Sequence, residues 1–141
     1  MMAKRRGMAI GGVLVGLLLV AGLTGAEQPA APTAEEVGVP TFPKATYITS
    51  FKEGPAVRHL FATNAVATEV VRFYEEKTGQ RAEFRQEPDG IQSYRIVRGD
   101  PHVGVPELEI RIERAKGMFE IPDERGRVQP FAVTIFVSRP R

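Results

Sequence analysis

The chain has no cysteine, and this absence excludes several kinds of chemistry at once. It rules out disulfide bonds, a thiolate nucleophile and a lipid attached to an N-terminal cysteine. The fold must therefore be held by apolar burial alone. Eight Phe and three Tyr residues, none of them among the first 26 positions, supply the large side chains that such a core requires.

A strong excess of one charge is also missing. The chain has 19 Lys and Arg against 17 Asp and Glu, but Lys4, Arg5 and Arg6 lie in an N-terminal segment without acidic residues. The remainder has 16 basic and 17 acidic residues, a net charge of −1. The pI near 9.1 is thus a property of that segment, and we expect no nucleic-acid partner.

The first 26 residues have the pattern of an export signal. Their basic residues precede an apolar run from Met8 to Leu23, and the small residues Thr24-Gly25-Ala26 follow it. This predicts a signal peptide at 1–26 and a periplasmic or extracellular protein. The alternative is an uncleaved N-terminal anchor in the inner membrane. In either case the rest of the chain lies outside the cytoplasm and meets the membrane only through this segment.

The remaining 115 residues are enough for one domain with a real core but not for two. Residues 27–39 are rich in Pro, Ala and Glu and have no apolar period, which predicts a flexible linker. A single domain is then expected over 40–141.

One segment of this domain has the periodicity of a helix. Between residues 65 and 78, Val66, Val70 and Phe73 recur at helical spacing, so we expect Phe73 to be buried against a sheet. Asn64 is the predicted N-cap, and Gly79 is suited to a left-handed residue that ends the helix.

Six other segments have the composition of strands. Residues 45–51 and 57–63 predict one hairpin, and Pro88-Asp89-Gly90 predicts the turn of a second. In the second hairpin, one register places Phe84 opposite Tyr94 and Glu83 opposite Arg95.

The last two strands differ in their patterns. Residues 107–114 alternate, with Leu108, Ile110 and Ile112 inward. Residues 131–137 are apolar on both faces, which predicts a strand that is central in the sheet or covered by the helix. Between them, 115–130 is expected to be mostly loop, with a short pairing segment at 118–121 as the one alternative. The predicted fold class is therefore α+β: one amphipathic helix packed on a largely antiparallel sheet, in two layers and in the order ββαββββ.

Part of the chain resembles a module of uncharacterised exported bacterial proteins. The pattern is Phe/Tyr-Pro-x-Ala, then Thr-Asn/Asp, then Glu-Val-Val-x-Phe-Tyr; here it falls on residues 42–45, 63–64 and 69–74. The resemblance covers about a third of the domain after the leader. It implies a small exported α+β domain of unknown function and donates no catalytic residue.

The two histidines are the first candidates for catalysis or metal binding. His59 lies in a predicted strand and His102 in a loop close to Asp100. These three residues have the right ligand types for zinc, but no spacing links them, so we expect no metal site.

Other candidate motifs indicate structure rather than chemistry. Ser50, Ser93 and Ser138 lie in predicted strands outside any nucleophile motif, and 99–104 lacks the Lys-Ser/Thr of a phosphate loop. The tripeptide 98–100 matches a cell-adhesion motif only by its three letters. Glu75-Glu76 and Asp123-Glu124 are expected in solvent. The alternating Arg and Glu of the strands could bind an anionic polymer, but each basic residue has an acidic neighbour, which favours a solvated, salt-bridged face.

Two functional hypotheses follow. The first is a noncatalytic envelope module that binds another envelope protein or a small ligand, without a cofactor. The second is an enzyme of unrecognised type that uses His102, Asp100 and His59. Apolar residues exposed on the sheet's uncovered face would favour the first, and a cleft joining His102 to a carboxylate with a shifted pKa would favour the second.

Overall fold

The structure is a computed structural model that describes residues 30–100, 102, 104–122 and 125–141. The predicted signal peptide and the pair Asp123-Glu124 lie outside these residues. Within the described ranges, no helix is both long enough and apolar enough to cross a bilayer.

Two helices and six strands make up the described chain. In order they are α1 (Ala34–Val37), β1 (Thr46–Glu53), β2 (Ala56–Thr63), α2 (Ala67–Thr78), β3 (Glu83–Gln86), β4 (Gln92–Arg98), β5 (Leu108–Pro122) and β6 (Val128–Pro140).

These residues belong to two compact units. The larger one consists of Ala31–Phe119 and Phe131–Arg141, and it contains the helices, the core and all the candidate residues discussed below. The smaller unit consists of Met1–Ala30 and Glu120–Pro130, of which 30, 120–122 and 125–130 are described.

One six-stranded sheet dominates the fold, with the strand order β1-β2-β6-β5-β4-β3. The pairs β1–β2, β2–β6, β3–β4 and β4–β5 are all antiparallel. Strand β6 lies between β2 and β5, so of the two positions predicted for 131–137 the central one is confirmed.

The predicted two-layer domain of order ββαββββ is wrong as an architecture. The sheet is the main element, and helix α1 stands before the first strand, so the order begins with a helix. Helix α2 has only 12 residues, about 18 Å, whereas six strands span about 24 Å. It therefore does not form a full second layer over the sheet.

The prediction that 115–130 is mostly loop is also wrong. Strand β5 continues to Pro122 and β6 begins at Val128. Gly117 and Pro122 are local strand breakers, but pairing with a neighbouring strand outweighs the propensity of single residues.

Helix α2 begins later than its sequence predicts. Its N-cap is Val66, which is exposed, and the Asn64 side chain instead accepts a hydrogen bond from Ala132 N at 3.0 Å. Phe73 is half-buried rather than buried. The buried face consists of Ala67, Val70, Val71 and Tyr74.

Two local predictions are confirmed: the residue that ends α2 and the register of the second hairpin. Gly79 ends α2 with φ +72° and donates its N–H to Glu75 O at 2.8 Å. In the second hairpin, Phe84 is opposite Tyr94 and Glu83 is opposite Arg95.

The core includes residues from the predicted flexible linker. Thr33 caps α1 through a reciprocal pair of hydrogen bonds with Glu36, and Val37 and Val39 are buried in the main cluster. Arg139 of β6 donates to the carbonyls of Glu35 and Glu36, at 2.9 and 3.1 Å. The folded region therefore starts before Pro40, because the short helix is held at both ends.

Strand β1 has an irregularity near its start. Tyr47 pairs with Phe61 and Thr49 pairs with Leu60, so Ile48 has no partner in the register with β2. This is the geometry of a β-bulge, which bends a strand and increases its twist.

Candidate functional site

The sheet has one charged surface, on the side away from the core. Along β5, Leu108, Ile110 and Ile112 are buried, and alternation places the residues between them on the opposite side. The strand register adds residues of β3 and β4 to the same side. We call this surface the charged face; it consists of Glu83, Arg85, Ser93, Arg95, Glu109, Arg111 and Glu113.

Two arginines lie directly opposite each other at its centre. Arg95 of β4 pairs with Arg111 of β5, an arrangement in which like charges repel. The Glu109 carboxylate offsets this repulsion, since its Oε2 lies 2.6 Å from Arg95 Nε and 3.8 Å from Arg111 Nη2. The two guanidinium groups thus share one carboxylate.

Three further carboxylates, those of Glu87, Asp89 and Glu113, lie on the same side of the sheet. Glu113 Oε2 lies 3.8 Å from Arg111 Nη1. Burial raises the pKa of the Glu113 carboxyl, Arg111 lowers it, and the negative charges of Glu87 and Asp89 raise it further. The surface therefore has positive and negative regions side by side.

Two clefts open on this side of the sheet. The first, of about 510 Å³, is lined by residues of the charged face together with Glu87 and Asp89 from the hairpin turn. The second, of about 420 Å³, is lined by Arg58, Glu109, Ser138 and the segment 104–106. Arg95 contributes to both clefts, so they are neighbours.

Two arginines of the clefts retain hydrogen-bonding capacity. Arg58 Nη2 lies 3.1 Å from Glu53 Oε1 and its guanidinium lies over the Phe136 ring, but its buried Nε has no hydrogen-bond partner within the described residues. Arg85, which lines the first cleft, forms no ion pair within the described residues. Its exposed guanidinium can donate to an acceptor on a ligand.

This geometry suits a ligand that carries both charges. Residues two apart in a strand lie about 6.8 Å apart on one side. Glu109, Arg111 and Glu113 repeat at that spacing. Alternate side chains of any extended polypeptide have the same spacing. An extended segment with basic, acidic and basic residues at alternate positions complements the row.

His59 takes part in a different arrangement. Its Nδ1 lies 2.6 Å from Ser50 Oγ, which lies 2.6 Å from the Tyr47 hydroxyl. Burial lowers the pKa of His59, Glu36 raises it and Arg139 lowers it. His59 is only 6% exposed, and neither of the two clefts includes Ser50 or His59.

The structure does not bring together the three residues of the enzyme hypothesis. Asp100 Oδ1 accepts a hydrogen bond from His102 N at 2.9 Å in an exposed turn, whereas His59 lies in β2 beside Ser50. Within the described residues, no three His, Asp or Glu side chains form a group that could hold a metal ion.

The other candidates of the sequence have structural surroundings. Ser93 donates to Glu87 at 3.2 Å, Ser138 is buried opposite Arg58, and Glu75 accepts from Ala82 N at 2.8 Å. In the tripeptide 98–100, Arg98 Nε lies 3.3 Å from Glu107. Gly99 has φ +102°, and a Cβ there would lie 2.9 Å from Glu107 N. That glycine therefore serves a close approach of two backbone segments.

No protein-family model, curated protein or solved structure shows significant similarity to this chain. The resemblance to an exported bacterial module therefore stays a prediction, and the function has to be argued from the geometry alone.

Sequence reasoning identified the residues of the charged face but not their role as a site. The signal was the alternation of Glu109, Arg111 and Glu113, which the sequence interprets as a solvated strand face. What it lacked was the register that sets Arg95 directly opposite Arg111. That register joins strands on either side of a nine-residue connection.

Proposed function

We propose that the protein is a noncatalytic binding module of the bacterial envelope, exported by its N-terminal segment. Its ligand is an extended segment of another exported protein, in which basic and acidic side chains alternate. The segment lies along β5 on the charged face, with its acidic residue at Arg95 and Arg111 and its basic residues at Glu109 and Glu113.

The observation that carries this proposal is the arginine pair. Arg95 and Arg111 lie directly opposite each other and share the Glu109 carboxylate, and Glu113 lies 3.8 Å from Arg111 alone. A second carboxylate at this point relieves the remaining repulsion, and a bidentate contact to guanidinium adds directional strength. A binding role needs no further chemistry from the chain.

An enzymatic role has weaker support. A nucleophile and its base must meet a substrate, and the Ser50–His59 pair lies outside both clefts with its ring buried. The contact between His102 and Asp100 is a backbone hydrogen bond within one exposed turn, not a pairing of the two side chains. We therefore do not favour hydrolysis or metal chemistry at either place.

The test is photo-crosslinking in the native host with the full chain. p-Benzoyl-phenylalanine replaces Ile91, which lines the first cleft, and in a control replaces Thr68, which is exposed on helix α2. We expect a discrete adduct with one exported protein at position 91 and none at position 68. Mass spectrometry identifies the partner and separates it from adducts between two copies of this chain.

A charge variant decides whether the charged face is responsible. Arg95→Glu with Arg111→Glu should abolish the adduct at position 91, whereas Arg72→Glu on the exposed side of α2 should leave it unchanged. An adduct that survives the double reversal would reject the proposal. Unprocessed protein recovered from the cytosol would reject the export on which it depends.

A further inference from the structure

Strand β3 forms one edge of the sheet and is unusually open. Within the described chain its only strand neighbour is β4, and all four of its residues, Glu83–Gln86, are exposed. Phe84 is a large apolar side chain that is 52% exposed. An edge strand offers unpaired N–H and C=O groups that another strand can use.

The hydrogen bonds of the hairpin fix which groups of β3 point outward. Glu87 N–H donates to Ile91 O at 2.8 Å, so Glu87 is bonded towards β4. Residues alternate along an antiparallel strand, which makes Arg85 and Glu83 bonded towards β4 as well. The N–H and C=O groups of Phe84 and Gln86 therefore point away from the sheet.

We propose that β3 pairs antiparallel with β3 of a second copy of this chain, centred on Phe84. The two sheets then join edge to edge about a twofold axis. Phe84 faces Phe84 of the other copy, and the outward N–H and C=O groups of each bond the other.

Backbone alternation limits the possible registers to two. Outward residues must face outward residues, which excludes any register that sets Phe84 opposite Arg85. Of the remaining registers, only those centred on Phe84 or on Arg85 pair three β3 residues of one copy with three β3 residues of the other. The backbone alone does not choose between them.

Charge decides between these two registers. Centring on Phe84 sets Glu83 of each copy opposite Arg85 of the other, giving two pairs of opposite charge. Centring on Arg85 sets the two arginines against each other. Since like charges directly opposite are destabilising, the first register is favoured.

Apolar contact supports the same choice. The Phe84 and Tyr94 rings already lie 5.1 Å apart on the side of the sheet opposite the charged face. Pairing centred on Phe84 joins two such ring pairs into a cluster of four, which removes the exposed Phe84 from water. Charged residues on an edge strand ordinarily discourage strand addition. Here, however, Glu83 of each copy faces Arg85 of the other, so the charges attract.

The first test uses the absence of cysteine. In the full chain, Phe84→Cys would provide the only thiol, and facing residues of a bonded pair have Cα atoms about 5.5 Å apart, within disulfide range. We expect a disulfide-linked dimer on mild oxidation. Arg85→Cys should give none, because its copies lie more than about 7 Å apart in this register. A dimer from Arg85→Cys and not from Phe84→Cys would overturn the proposal.

The second test measures charge complementarity in the Phe84→Cys background. Glu83→Arg or Arg85→Glu alone should lower the dimer yield about fivefold, because each creates two like-charge contacts. The double variant restores opposite pairs and should recover the yield. Equal yields from all three would overturn the proposal.

A third measurement avoids cysteine altogether. Light scattering of the purified full chain should give the mass of two copies, and Phe84→Lys should give that of one. A single-copy mass for the unsubstituted chain would overturn the proposal. This result does not bear on the proposed binding of an exported protein, because that binding is measured separately by the crosslinked adduct at position 91.

Discussion

Tyr74 connects the helix to the chain that precedes the sheet. Its ring is fully buried and its hydroxyl accepts a hydrogen bond from Phe42 N at 3.1 Å. Burial raises the pKa of this hydroxyl to about 12. The tyrosine thus stays neutral at every pH at which the protein is expected to work.

Removing this hydroxyl should destabilise the fold measurably. Tyr74→Phe leaves the buried Phe42 N–H without an acceptor, so we expect a loss of about 1 to 3 kcal/mol in the free energy of unfolding. Tyr94→Phe is the control, since its hydroxyl makes no hydrogen bond within the described residues, and should change stability by less than about 0.5 kcal/mol. Equal losses in denaturant titrations would contradict this account.

His59 should make stability sensitive to mild acid. Its pKa lies below 6.5 because burial disfavours the charged ring, with Glu36 raising it and Arg139 lowering it. As pH falls below 6.5, the unfolded chain takes up a proton before the folded one does, so stability is lost. His59→Gln should flatten the decline between about pH 7 and pH 5. A decline that persists in this variant would place its origin elsewhere.

Glu113 has the opposite dependence. Its pKa is raised from 4.5, chiefly by burial, so the folded state favours the protonated carboxyl. The stability from this group is present below pH 4.5 and is lost as pH rises through the folded pKa. Glu113→Gln removes this loss. The fall in the free energy of unfolding between pH 4 and pH 7 should therefore be smaller in the variant than in the unsubstituted chain. An unchanged difference between pH 4 and pH 7 in this variant would place the effect at another group.

Among the elements, those with strong local signals were predictable. The turn Pro88-Asp89-Gly90 and the opposing charges of Glu83 and Arg95 fixed the second hairpin, because both faces agreed on one register. Helix α2 followed from its apolar period. The first residue of α2 was not predictable in this way, since the Asn64 side chain accepts a hydrogen bond from Ala132 N of β6 and does not cap the helix.

Elements with weak local signals were missed. Helix α1 has four residues, too few to show a period, and its only signal was the spacing of Thr33 and Glu36. The far half of β5 contains Gly117 and Pro122 and becomes a strand through its neighbours. β5 is hydrogen-bonded to β4 and β6, and pairing with a neighbour overrides the low strand propensity of single residues.

Gly79 ends α2 in a left-handed backbone conformation that other residues adopt only with strain. Gly79 has φ +72°, and a Cβ at this position would meet no atom within 4 Å, so Gly79→Ala should lose about 1 kcal/mol through backbone strain alone. Gly117→Ala in β5 meets equally open space without a positive φ and should be neutral or stabilising. Thermal unfolding of both variants distinguishes strain from a general effect of alanine.

For the whole molecule, the charged face shows how far a sequence can predict a site. Its residue types and their alternation were visible from residue order. The arginine pair and the clefts were not, because they depend on which strands become neighbours. The domain start was misplaced for a similar reason, as Val37 and Val39 are buried by residues distant in sequence.

That misplacement leads to a truncation test. A chain that begins at Thr33 keeps α1 and both valines, whereas one that begins at Pro40 loses them. The shorter chain should be less stable by about 3 kcal/mol or more, from the lost burial of two valine side chains. Similar unfolding midpoints for the two chains would show that residues 33–39 add nothing to the fold.

The bulge near Tyr47 bears on how large an assembly can grow. The sheet has two outer strands, β1 and β3, and a sheet whose two rims both accept strands would extend without limit into fibres. The unpaired residue in β1 bends that rim out of the flat line that strand addition requires. If β3 pairs as proposed, growth through β3 closes at a pair, because the β1 rim does not accept the next strand.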